Sequence, residues 1–134
     1  MPRDAKVIRT ASAQADTGQT DLIQTPAWAK YAIVYLNVTA ATGTTPLTDM
    51  KFQYVHPGTT NALDMQWDGI TQIEGTTTGH VVVVIGAHYD TADDTTPVYF
   101  IKDPLPFNWN IVLTLDRTSS NEEYTYSLAC EFIG

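Results

Sequence analysis

The chain has 134 residues, enough for one domain around one hydrophobic core and too few for a second independent folding unit. Its formal charge is −8 with a sequence pI near 4.5, so the overall field repels a phosphate backbone and general nucleic-acid binding is not expected. Charged residues are only 16% of the total, against a usual ~25%, and threonine supplies much of the remaining polar surface, which favours strands over helices.

Met1 to Lys6 is polar and has no apolar stretch of signal-peptide type, so no secretory leader is expected and the Asn37-Val38-Thr39 sequon has no glycosylation meaning. Residues 1–15 read as an extended N-terminal arm, and residues 16–134 as a single β-sandwich domain. The arm carries Arg3, Lys6 and Arg9, three of the seven basic residues, opposite in sign to the acidic remainder. These three are the candidate partner-binding residues, reaching toward an acidic surface.

Strands are expected over residues 6–12 and 20–25, followed by residues 31–38, where Ala32, Val34, Leu36 and Val38 alternate with Tyr31, Ile33, Tyr35 and Asn37. Both faces of that run are apolar, which places it centrally in its sheet. In residues 49–54, Met50, Phe52 and Tyr54 oppose Asp49, Lys51 and Gln53, giving one dry and one wet face. Shorter strands follow over 70–74, 80–86 and 98–102, with turns at 42–46, 56–60, 68–69, 75–79, 91–97 and 103–106. Near the C-terminus, Trp109, Ile111, Leu113 and Leu115 alternate in one run and Tyr124, Tyr126, Leu128, Cys130 and Phe132 in the next. The polar segment 117–122 between them predicts an antiparallel hairpin.

Helical periodicity is missing throughout, so the expected fold class is all-β: an antiparallel two-sheet β-sandwich, jelly-roll-like or immunoglobulin-like, of about eight to ten short strands. A small closed barrel is the competing architecture. An antibody-type domain is disfavoured because Cys130 is the lone cysteine, expected as a small buried core residue. The predicted core comprises Val34, Leu36, Phe52, Val83, Trp109, Ile111, Leu113, Tyr126 and Leu128. No apolar run approaches a membrane span, the longest being 81–85.

Residues with chemical potential are few. His88-Tyr89-Asp90 followed by Asp93-Asp94 offers hard oxygen ligands, but without EF-hand spacing it reads as a solvated acidic turn. His56, His80 and His88 have no cysteine partner set, and neither G-x-S-x-G nor a P-loop is present. The adjacent acids Asp93-Asp94 and Glu122-Glu123 read as solvated turns. No catalytic residue, metal ligand or cofactor is therefore assigned, and an enzyme is not expected. Trp28, Trp67 and Trp109, with Tyr31, Tyr35, Tyr89 and Tyr99, form the one alternative, a sugar-stacking face. Trp109 continues an inward stripe, which leaves Trp28 and Trp67 to carry that idea.

The stretch Lys30-Tyr31-Ala32-Ile33-Val34-Tyr35-Leu36-Asn37-Val38-Thr39-Ala40-Ala41-Thr42-Gly43-Thr44-Thr45-Pro46-Leu47-Thr48-Asp49-Met50-Lys51-Phe52-Gln53 resembles small β-sandwich structural proteins of tailed bacteriophages and prophages. Shared features are an apolar strand ending in a Val-Thr-Ala-like segment, a Gly-Thr-x-Pro turn, and a second strand with Asp and a late Gln. Leu105-Pro106 before a Trp-containing strand continues the likeness, whereas His56-Pro57-Gly58-Thr59-Thr60 departs from the group's Asp-Gly-rich loop. The resemblance implies a virion component on the outer capsid surface: a capsid decoration, or cement, protein bound to the major capsid protein. It also implies a homo-oligomer, a trimer where a shell offers local threefold positions. A tail or head–tail accessory role and a carbohydrate-binding module are the alternatives, and neither a nucleic-acid nor a membrane partner is expected.

Overall fold

The computed structural model describes residues 3–14, 18–19, 22–42, 47–58, 61–65, 73–74, 79–86, 98–101, 103–116 and 123–134. Among them every regular element is a strand: β1 (Arg3–Gln14), β2 (Gly18–Gln19), β3 (Ile23–Gln24), β4 (Tyr31–Thr42), β5 (Leu47–Val55), β6 (Ala62–Asp64), β7 (Ile73–Glu74), β8 (Gly79–Ile85), β9 (Val98–Ile101), β10 (Asn108–Asp116) and β11 (Glu123–Ile133).

The strands form two sheets. One runs β1-β11-β4-β8-β9; in the other, β10 and β5 are central, β2 and β3 follow one another along the free side of β10, and β6 and β7 do the same along β5. Taking each interrupted edge as one strand leaves four strands in the second sheet, facing β1-β11-β4-β8. That order is the eight-stranded jelly roll, with β9 added as a fifth strand. All ladders are antiparallel except β8 with β9, where Val82 to Ile85 pair in parallel with Val98 to Ile101.

The all-β sandwich expectation holds, and the jelly roll is the form it takes. The terminal hairpin does not form. β10 pairs with β5, whereas β11 pairs with β1 and β4, so the two runs lie in opposite sheets. Their inward residues meet across the core instead: the Trp109 ring lies edge-on to Phe132 at 6.5 Å and tilted against Phe52 at 6.2 Å. Each strand carries a fully apolar face, and two such faces are covered better by each other than by side-by-side pairing, which would leave both open.

Alternation along the strands builds the core. Ala32, Val34, Leu36 and Val38 on β4, Val81, Val83 and Ile85 on β8, and Tyr126, Leu128, Cys130 and Phe132 on β11 supply one inner face. Met50 and Phe52 on β5 with Trp109, Ile111 and Leu113 on β10 supply the other, and all nine predicted core residues are buried. Strand β4 is central, as its pattern implies, but its second face is only partly covered, with Tyr35 exposed. Cys130 is buried and free.

Residues 3–14, expected to extend from the domain as an arm, form β1, the edge strand of the larger sheet. Its ladder with β11 runs from Arg3↔Ile133 to Gln14↔Tyr124, with irregularities between Val7 and Arg9 and between Arg9 and Ser12. Such bulges twist an edge and discourage indiscriminate strand addition.

Candidate functional site

One end of the smaller sheet carries an open cleft of about 360 Å³, built where β5 turns into β6 and where the chain enters β10. Pro57-Gly58 supplies the turn. Gly58 has φ of +76°, a left-handed conformation that favours glycine, and the His56 N–H closes the loop on the Asn61 carbonyl at 2.9 Å. Val55 then pairs with Ala62 and Tyr54 with Leu63, which brings Leu63 to one wall of the cleft.

The opposite wall is Pro106, Phe107 and Asn108. A hydrogen-bond relay holds it. The Thr25 hydroxyl donates to the Pro106 carbonyl at 2.6 Å and accepts the Trp109 indole N–H at 3.0 Å, while the Thr25 N–H donates to the Phe107 carbonyl at 2.8 Å. The wall is thus tied to the buried centre of the sandwich.

Between these walls the surface is largely apolar. Leu63 and Phe107 remain 71% and 60% exposed, unusual for side chains of that size standing together on one rim. At the back, burial raises the Tyr54 hydroxyl pKa far above its ordinary value, and hydrogen bonding to the Asp103 carboxylate raises it further, so this phenol stays protonated as a donor. The Asn108 Oδ1 is buried without a hydrogen-bond partner, as is that of Asn110 two residues on. On the β6 side, Asp64 accepts from Gln53 at 2.8 Å and lies 3.4 Å from the Lys51 ammonium, which occupies its carboxylate.

This arrangement is suited to binding. It offers an apolar concavity with a protonated phenol, held by a carboxylate, at its back.

The residues singled out in the sequence fall elsewhere or apart. Arg3 lies on the edge strand with Nε 3.5 Å from Glu131 Oε1, in a largely exposed pair. Lys6 and Arg9 occupy backbone positions opposite Cys130 and Leu128, so the three positions are spread along about 20 Å of strand. Trp109 is fully buried, Trp28 is 39% exposed after the Pro26 turn, and Trp67 lies outside the described residues. His56 lines the cleft and His80 is exposed on β8, while His88, Asp90, Asp93, Asp94 and Glu122 lie outside the described residues. Among the described residues no cluster of potential metal ligands occurs, and no helix is long and apolar enough to cross a membrane. The cleft itself escapes sequence reading, because Leu63 and Phe107 are isolated apolar residues beside turns; only the Pro57 and Pro106 punctuation marks its two walls.

Neither a protein-family model nor a curated protein sequence matches the chain.

Proposed function

We propose that this protein is a structural component of a bacteriophage virion, a decoration protein that binds the major capsid protein on the outer face of the head. The observation that carries the reading is the jelly-roll strand order, an architecture widely used in viral shells. A site built for binding and an acidic, threonine-rich exterior support it, since a cement protein needs contact surfaces and no turnover. The basic edge strand β1 is its coat-facing element, with Arg3, Lys6 and Arg9 set against acidic coat residues.

Jelly rolls also serve as lectins, but sugar recognition needs several polar groups around a stacking ring. Tyr54, His56, Asn61 and Asn108 line the cleft beside the exposed Phe107 ring, but the accessible surface is largely apolar, which makes the sugar-binding alternative the second reading.

The test is binding of purified protein to undecorated phage heads. Because β1 is part of the sandwich, deleting it would uncover β11, so the informative variants are Arg3→Gln, Lys6→Gln and Arg9→Gln combined. The expected result is a folded protein whose head binding is weakened, with wild-type binding falling as salt rises. Unchanged binding by the triple variant rejects the role of β1, and wild-type protein that does not bind heads rejects the function.

A further inference from the structure

We infer that β1 pairs antiparallel with β1 of a second copy about a twofold axis at Ala5, so that Asp4 of each copy lies opposite Lys6 of the other. The pairing goes beyond the decoration reading and does not depend on it. Among the described residues β1 is the one long sheet edge. Strand β9 has four residues, and both edges of the smaller sheet are broken into strands of two or three. On its sheet side β1 ladders with β11, so alternate N–H and C=O groups along it point the other way and offer a template for a further strand.

Bulges limit where that strand can lie. The register is unbroken from Arg3↔Ile133 to Val7↔Ala129 and shifts after Val7 and again after Arg9, so Arg3 to Val7 is the regular stretch. Arg3, Asp4 and Ala5 within it are exposed. Charge then selects the register. In an antiparallel pair about a twofold axis, the residue on the axis meets its own copy. An axis at Asp4 opposes two aspartates, and an axis at Lys6 opposes two lysines. An axis at Ala5 sets Asp4 against Lys6 twice, Arg3 against Val7, and the small Ala5 against itself. Arg3 lies 3.5 Å from Glu131 of its own chain, whose carboxylate answers its charge. The stretch is therefore self-complementary, as a twofold interface requires, and the two five-stranded sheets run on as one. Under the decoration reading the seam, with both basic strands in it, is what faces the coat.

The test is sedimentation equilibrium of the full chain, of Asp4→Lys and Lys6→Asp separately, and of the two variants mixed in equal amounts, with circular dichroism as the check on folding. Asp4→Lys sets lysine against lysine and Lys6→Asp sets aspartate against aspartate, so each should raise the dissociation constant of its own dimer about tenfold or more. Mixed, the two restore opposite charges at both pairs, and a dimer with one copy of each should return at wild-type affinity. The double variant Asp4→Lys with Lys6→Asp restores the pairs within one sequence and should also dimerise as the wild type does. Overall repulsion predicts the reverse for Asp4→Lys, which lowers the net negative charge and would strengthen any association limited by the whole field. A wild-type chain still monomeric at about 1 mM, single variants that dimerise as well as the wild type, or a mixture and a double variant that both stay monomeric overturns the inference.

Discussion

The fully buried indole of Trp109 donates its N–H to the Thr25 hydroxyl at 3.0 Å, joining residues 84 positions apart. The same hydroxyl donates to the Pro106 carbonyl, so one threonine satisfies the core tryptophan and fixes the wall of the cleft. Thr25→Val keeps the shape and removes both bonds. It should lower stability by about 1–3 kcal/mol in urea unfolding, with Thr25→Ser retaining most of the wild-type value.

Leu113 is 1% exposed on the inner face of β10, between β2 and β5. Truncating it leaves a cavity that a two-sheet core closes only partly, so Leu113→Ala should cost roughly 2–5 kcal/mol. Phe107→Ala, at the exposed rim, should change stability by no more than about 0.5 kcal/mol at concentrations where the protein is monomeric. Equal losses at the two positions would contradict this placement of the core.

Two glycines separate backbone strain from crowding. Gly58 and Gly86 both have positive φ, +76° and +89°. A Cβ on Gly58 meets nothing within 4 Å, whereas one on Gly86 would sit 3.0 Å from Leu105 Cβ and 3.1 Å from the Lys30 carbonyl oxygen. Gly58→Ala should therefore cost about 1 kcal/mol from conformation alone, and Gly86→Ala distinctly more, measured by thermal unfolding.

Tyr54 gives the alkaline behaviour its sign. Burial and the Asp103 carboxylate favour the neutral phenol in the folded state, so its pKa rises above the ordinary value of 10.0. Its stabilising contribution is fully present below pH 10 and is lost as pH rises beyond that value. In an absorbance titration Tyr54 should be among the tyrosines that resist ionisation until the protein unfolds, and Tyr54→Phe should remove its share of that component and reduce the alkaline loss of stability.

Much of the fold is legible in the sequence because burial on one side of a strand imposes a period of two. The stripes Ala32 to Val38 and Tyr126 to Phe132 mark inward faces correctly, and the wet residues Lys51 and Gln53 on β5 meet Asp64 across the edge. Alternation says nothing about which sheet a strand joins. The partners of Leu128 and Cys130 are Leu36 and Val34, far upstream, and the run 109–115, though near in sequence, pairs with β5 in the other sheet. Strand β6 has only three residues and no buried apolar position, which leaves no pattern to read. The cleft depends on Leu63 and Phe107 being brought together from β6 and the entry to β10, a relation set by the β5 ladder and invisible to local spacing.

The central claim, the proposed decoration role, is tested most directly by cryo-electron microscopy of virions purified from the source of this chain. The account predicts jelly-roll density on the outer capsid face, with the β1 edge turned toward the major capsid protein. Density confined to the neck or tail would move the protein to an accessory role, and absence of the protein from virions would contradict the account.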